Sequence, residues 1–339
     1  MKRTISKIFL LLAGMFFVCT CLLMGAHTYY SDHYFNAIHD FHNPVAEIMP
    51  NQKPDTSILI VSDSGSHNLI LRRVLQDALD KNKYDFVMHL GDFTKNASIT
   101  GTYWLLNDIK PVLGKTPLYM IPGNHDITRR IGLTKKHFTD KSFYETVMGP
   151  RYYWFAFGDT LFITLDSSDT GLDDAQLAWF DTTLKKIRPG FKNCIVFGHV
   201  PPANSRPDFF EDHIMQPDTV KKFEQIVKKH KINAMFFGHV HFFSQSKFAG
   251  IDFYTLPSSG QAIRDPNIRQ YGYINVNINK KGDVSVEPKF IDYRGPKKSA
   301  FSEWFARDVL SVKVKMMVSA GLCLSIIFLI VGLVLRKRK

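Results

Sequence analysis

The chain has 339 residues, 45% hydrophobic and 22% charged, enough for one large domain or two small ones and unlike disordered or collagenous sequence. Its formal charge is +12, but nine of the 43 basic residues lie in the acid-free stretches 1–26 and 313–339, leaving 34 bases against 31 acids in residues 27–312. That near balance offers no phosphate-backbone footprint and excludes nucleic-acid binding by bulk charge.

In chain order, Ile8 to Ala26 is uncharged and follows Lys2, Arg3 and Lys7. At 1.5 Å per residue this stretch can cross a bilayer core of about 30 Å. A secretory signal has the same pattern, but Met24-Gly25-Ala26 is a mediocre cleavage site, so an uncleaved anchor over residues 1–26 is expected. Residues 27–55, with Pro44, Pro50 and Pro54, read as a membrane-proximal linker. Residues 56–312 then form the main domain. Short apolar runs recur there at Ile58–Ser62, Phe86–Leu90, Leu118–Ile121, Leu161–Leu165, Cys194–Phe197 and Ala234–Phe237. Between them Leu69–Leu79, Tyr103–Leu113, Ala175–Ile187 and Val220–Ile232 carry helical spacing of apolar residues. This alternation predicts an α/β domain with buried strands. Asp252–Leu256, Tyr271–Ile278 and Val284–Phe290 follow without helices and read as consecutive antiparallel strands. Met316 to Leu335 is a second uncharged stretch of spanning length, closing a segment 313–339 with the basic tail Arg336–Lys339. The bases outside both apolar stretches place both tails in the cytosol and the domain on the extracytoplasmic side, whether periplasmic, extracellular or lumenal. Only Cys194 lies in that domain, so it contains no internal disulfide and depends on its core.

The residues that end the apolar runs carry the chemistry. They are Asp63-Ser64-Gly65, Gly91-Asp92, Gly123-Asn124-His125-Asp126, Gly198-His199 and Gly238-His239-Val240-His241. Carboxylates, an amide and four histidines thus gather at strand C-termini, the edge where open α/β sheets build sites. Singly each is an ordinary turn. Together they call for a cation, because buried carboxylates without one are costly. His89 sits within an apolar run and reads as a core histidine. Asp166-Ser167-Ser168 reads as a turn, Trp179 and Leu177 as packing, and Pro257-Ser258-Ser259-Gly260 as a segment that could border the cleft.

In this order the motifs resemble the calcineurin-like metallophosphoesterase superfamily, which includes the purple acid phosphatases. Its patterns D-x-H or D-x-G, G-D, G-N-H-[DE], G-H and G-H-x-H match the five segments over residues from about 57 to 290. The resemblance implies a four-layer α/β/β/α sandwich, here flanked by N- and C-terminal transmembrane helices. It implies phosphomono- or diester hydrolysis at a dinuclear centre of Mn, Fe or Zn, by attack of a metal-bound hydroxide. Asp92 would bridge the ions; Asn124, His199 and His239 would complete one shell, and Asp63 and His241 would hold the other. His125 would be the general acid, with Asp126 orienting or charging its imidazole, or else capping a helix.

The chain departs from the family at Gly65, where the common pattern has a ligating histidine. Purple acid phosphatases share that glycine but supply a tyrosine at the position of Lys95. The Asp63 ion is therefore one ligand short; His67 could swing in as a replacement, or water or substrate oxygens fill the gap and leave that ion weakly bound or substrate-assisted. Gly65 and Lys95 also leave open a degenerate scaffold that acts as a membrane-tethered binding module. A metal-dependent amidohydrolase would place its His-x-His on the first strand and is excluded. Tethering to a bilayer makes lipid-linked phosphoesters natural substrates beside soluble ones.

Overall fold

The period-2 alternation of the first apolar run decides the layering. In the strand Thr56–Val61, Ile58 and Ile60 point to one face and Leu59 and Val61 to the other, and all four are buried. Both faces must therefore be covered. The computed structural model describes residues 2–38, 47–49, 55–130, 137–206, 213–265, 267–295 and 314–337.

The strands are β1 (Glu47–Met49), β2 (Thr56–Val61), β3 (Phe86–His89), β4 (Leu118–Met120), β5 (Thr128–Arg130), β6 (His137–Thr139), β7 (Tyr153–Phe157), β8 (Thr160–Thr164), β9 (Asn193–Gly198), β10 (Ala234–Phe237), β11 (Ser244–Phe248), β12 (Ile251–Thr255), β13 (Tyr271–Ile278) and β14 (Val284–Ile291). The helices are α1 (Lys2–Ile38), α2 (Asn68–Lys81), α3 (Ile99–Leu113), α4 (Asn124–Ile127), α5 (Lys141–Met148), α6 (Asp174–Ile187), α7 (Pro217–Lys229) and α8 (Val314–Lys337). One sheet has the order β14-β13-β2-β3-β4 and the other β1-β7-β8-β9-β10-β12-β11, while β5 and β6 form a separate hairpin. Ile58, Ile60, Phe86 and Met88 meet Phe155, Phe162, Ile195 and Phe236 between the sheets. Leu59, Val61 and Val87 pack outward on α2 and α3, and Ile163, Val196 and Met235 pack outward on α6 and α7. The result is the expected four-layer α/β/β/α sandwich. Aromatic rings fill its centre: Phe86 makes edge contacts with Tyr119, Phe155 and Phe162 at 5.1–5.3 Å between centroids.

Two expectations shift. The three late strands are not consecutive neighbours. β13 and β14 pair antiparallel, but β12 lies in the other sheet, parallel to β10 and antiparallel to β11. The connection from Leu256 to Gln270 crosses between the sheets, and strand propensity alone does not reveal which sheet a strand joins. The N-terminal helix also runs past Ala26 to Ile38, into the segment read as linker. No Gly or Pro interrupts residues 27–38, so loss of hydrophobicity there does not end the helix. The remaining linker residues 39–46 and 50–54, the stretch 296–313 and the final Arg338 and Lys339 lie outside the described residues.

Helices α1 and α8 pack antiparallel. Ser6 Oγ donates to the Gly332 carbonyl at 2.8 Å, Ser325 Oγ donates to the Ala13 carbonyl at 2.9 Å, and Phe328 packs on Phe9 and Phe16. Both helices contain stretches long and apolar enough to cross a membrane, Arg3–Tyr29 and Met317–Arg336. Among the described residues, every exposed large hydrophobic side chain lies on these two helices. Further along α1, Ile38 is buried with the α2–α3 core, and Trp104 of α3 packs with Leu23, Val314 and Val318.

Candidate metal centre

The loops after β2 and β3 run side by side. Asp63 N–H donates to the Gly91 carbonyl, Gly65 N–H to Asp92 and Ser66 N–H to Phe93, at 2.8–3.0 Å. This lacing brings Asp63 and Asp92 together beneath the loops after β4, β9 and β10. Four residues here, Asp63, Asp92, His239 and His241, have φ between 55° and 69°. Left-handed backbone costs an L-residue roughly 1–2 kcal/mol, and such strain gathers at functional sites.

The side chains converge in two groups. Asp92, His199 and His239 bring nitrogen and oxygen atoms within 4.8 Å of one another, and so do Asp63, Asp92 and His241, with Asp92 common to both. Asn124 joins the first group through its Oδ1, 3.2 Å from His199 Nε2. The ring orientations are fixed from behind. His199 Nδ1 lies 2.7 Å from the Leu90 carbonyl and His241 Nδ1 lies 2.6 Å from that of Ala262. With Nδ1 donating to a carbonyl, Nε2 presents a lone pair forward, the arrangement of a metal-binding histidine.

Asp63 tests whether these residues fit an ion. Its Oδ2 accepts the His239 N–H at 3.0 Å, but its fully buried Oδ1 has no hydrogen-bond partner. His241 Nε2 lies only 3.2 Å from that oxygen, so two acceptors face each other across a gap that a cation satisfies. Oxygen and imidazole donors without thiolate suit Mn, Fe or Zn, as the sequence implied. Burial pushes the Asp63 carboxyl up, but His241 and His199 outweigh it and hold it below the ordinary range. Burial lowers His199, and the carboxylates of Asp92 and Asp63 more than reverse this. His239 is pushed well down by burial and by His199.

His125 stands at the rim, with its ring Nδ1 3.1 Å from the Lys95 carbonyl and its Nε2 3.8 Å from Asp92 Oδ2. Its backbone N–H donates to Asp92 Oδ1 at 2.8 Å. Asp126 does not serve the His125 imidazole as expected. Its carboxylate accepts from Gly123 N–H, Thr94 N–H and Thr94 Oγ1, each at 2.8 Å, and from Phe93 N–H at 3.3 Å. It ties the Asp92 loop to the Asn124 loop, and the Lys95 carbonyl takes the place behind the imidazole. Burial and the neighbouring Asp92 raise the Asp126 carboxyl to about 7.

His67 belongs to neither cluster, and its Nδ1 lies 2.7 Å from the Gly260 carbonyl. The Lys95 side chain is exposed. His89 is a core histidine, with Nε2 on Ser64 Oγ at 3.0 Å and burial lowering it to about 3. Asp166 is buried in an ion pair with Arg151. Two nearby residues carried no sequence signal. His213 stacks edge-on against His239 at 5.2 Å, and Gln261 reaches Asp92.

Comparison with known proteins agrees with this geometry. The calcineurin-like phosphoesterase family matches residues 56–243. A probable cyclic nucleotide phosphodiesterase of Moraxella catarrhalis is 26% identical over 170 residues, 46% of this chain and 58% of that protein. A probable glycerophosphodiester phosphodiesterase of Arcobacter nitrofigilis is 27% identical over 176 residues, 48% of this chain and 58% of that protein. The matched regions thus span a little over half of each relative. Among solved structures, the purple acid phosphatase PPD1 of yellow lupin shares the fold with a TM-score of 0.54 at 16% identity, over 71% of this chain and 52% of that one. GAP50, the anchor in the inner membrane complex of Plasmodium, gives a TM-score of 0.51 at 12% identity, over 70% and 85%.

Proposed function

The chain belongs to the calcineurin-like phosphoesterase family, and from that premise we propose that it is a membrane-anchored, metal-dependent phosphoesterase acting on phosphodiesters. The observation that carries this reading is the pair of Asp/His clusters meeting at Asp92. Two ions held there would supply neutralisation of phosphoryl charge and an activated water at neutral pH. Asp92 would serve both ions, with Asn124, His199 and His239 holding one and Asp63 and His241 holding the other. His125 keeps Nδ1 on the Lys95 carbonyl, so its protonated ring carries a second proton at Nε2, facing the cluster. That proton goes to the leaving oxygen as the ester bond breaks. Asp126 is a positioning residue that fixes the Asp92 and Asn124 loops to each other.

The preference for diesters draws on the two sequence relatives, both described as phosphodiesterases. The antiparallel pairing of α1 and α8 brings Lys2 and Lys337 to the same end. This supports both tails lying on one side; the basic flanks Lys2, Arg3, Lys7 and Arg336–Lys339 favour the cytosol for that side, with the domain opposite and lipid-linked phosphodiesters within reach. A non-catalytic binding module has no need of an unpartnered buried carboxylate oxygen at Asp63 together with an exposed acid at His125.

The full chain, purified in detergent and supplied with Mn²⁺, Fe²⁺ or Zn²⁺, is expected to bind metal and hydrolyse bis(p-nitrophenyl) phosphate faster than p-nitrophenyl phosphate. Chelation and Asp92→Asn are each expected to reduce turnover to background. Hydrolysis that survives both would refute the proposal.

A further inference from the structure

The ligand missing from the first motif has a physical counterpart elsewhere in the chain. A β-carbon at Gly65 would lie 2.4 Å from Cγ, 2.9 Å from Cδ and 3.0 Å from Nε2 of Gln261. The Gln261 side chain thus fills the volume that a side chain at position 65 would occupy. Its amide ends at the shared carboxylate, with Nε2 3.4 Å from Asp92 Oδ2.

The backbone around Gln261 is fastened to the same cluster on both sides. Gln261 N–H donates to the Asp63 carbonyl at 2.8 Å, and the next residue, Ala262, accepts His241 Nδ1 at 2.6 Å. Ser258 Oγ lies 3.1 Å from the Asp63 carbonyl and 2.9 Å from that of Gln261. Ser259 N–H donates to the Ser62 carbonyl at 2.8 Å. The crossing segment between β12 and β13 is therefore bolted to Asp63 and His241, two of the three residues of the second cluster. His67, the other candidate, directs Nδ1 to the Gly260 carbonyl and joins neither cluster. Its role is to hold the same segment from the opposite side.

Resting on the metal-centre reading above, we propose that the Gln261 carboxamide replaces the absent first-motif histidine as an oxygen ligand of the ion held by Asp63, Asp92 and His241. In this structure Nε2 faces Asp92, and a half-turn of the amide about its last side-chain bond presents the acceptor oxygen Oε1 instead. A neutral oxygen is a harder and weaker donor than imidazole. This shifts the site toward oxygen-preferring ions such as Mn²⁺.

The experiment measures Mn²⁺ stoichiometry and affinity by calorimetry and elemental analysis on the full chain in detergent, after chelation. Gln261→Met keeps the stem over Gly65 and removes the amide, and Gln261→Glu keeps an oxygen donor. His67→Ala serves as the comparison. Wild type, Gln261→Glu and His67→Ala are expected to bind two ions. Gln261→Met is expected to keep the first ion and bind the second about 10–100-fold more weakly, by analogy with loss of a supporting group at a metal site. Thermal melting of the metal-free proteins checks that each variant folds, with Gln261→Ala substituting for Gln261→Met should the latter not fold. Two tight ions in both wild type and Gln261→Met overturn this assignment alone. Loss of the second ion in His67→Ala but not in Gln261→Met also overturns it, in favour of His67. A wild-type chain that takes up no ion overturns the metal-centre reading and this assignment together.

Discussion

Gly123→Ala is a sharp test of how the site is built. A β-carbon at Gly123 would lie 2.1 Å from Asp92 N, 2.2 Å from Asp92 Oδ1 and 2.9 Å from Asp92 Cα. Ordinary contact begins near 3.4 Å, so the loops after β3 and β4 must part by a little over 1 Å. Two of these three atoms are backbone, and the segment is held by the Asp126 bonds to Phe93 and Thr94, so no side-chain rotation relieves the clash. Overpacking of this kind costs about 1–3 kcal/mol of stability. In a domain this size that lowers Tm by about 2–10 °C. The displaced Asp92 carboxylate is common to both clusters, so turnover falls even in molecules that stay folded. A 1 Å misplacement costs about 100-fold in rate, or about 2.7 kcal/mol of barrier. The assay pairs Tm and metal stoichiometry with turnover of bis(p-nitrophenyl) phosphate. A folded Gly123→Ala with wild-type turnover and two bound ions would refute the claim that loop spacing sets the Asp92 position.

Phe86→Ala removes the ring at the centre of the inter-sheet cluster and is expected to cost about 3–5 kcal/mol in denaturant unfolding; a loss below 1 kcal/mol would show that the sheets close over the cavity. Asp77 gives a pH signature. Slight burial raises its carboxyl, but bonds from Lys81 and Tyr273 outweigh this and hold it below its usual 3.8. A depressed carboxylate contributes stability that is present above 3.8 and disappears as pH falls through the lower folded-state value. Asp77→Asn is therefore expected to flatten the decline of Tm in that acid window while leaving its slope at neutral pH unchanged. An unaltered acid limb would show the interaction to be spent on solvent.

The layering was legible because each buried strand carries its own evidence. Ile58 and Ile60 against Leu59 and Val61 demand cover on two faces, and the stretches that became α2, α3, α6 and α7 supply it. The site was legible where a ligand-type residue ends such a strand beside glycine. Roles that depend on backbone carbonyls were not. Leu90, Lys95 and Ala262 act through an atom every residue possesses, so no side-chain pattern marks them. Of the two roles open to Asp126, sequence proximity to His125 does not choose between them; its four bonds run to Gly123, the cap of α4, and to the Phe93–Thr94 segment. Gln261 lies far along the chain from Gly65, and a glutamine ahead of a turn is ordinary until the packing places it. The end of α1 is not legible because apolar content reports the surroundings of a helix, not where the helix stops, and α1 runs on to Ile38.

That last element has a mechanical consequence. At 1.5 Å per residue, α1 is an unbroken rod of about 55 Å whose far end, Ile38, is wedged into the α2–α3 core. Trp104 adds a second fastening where α1 and α8 meet the catalytic body. The body therefore cannot pivot like a load on a string, and any leaning of the helix pair swings the whole cleft through a proportionate arc. Inserting a single glycine–proline pair after residue 29 is expected to decouple the helix pair from the α/β body.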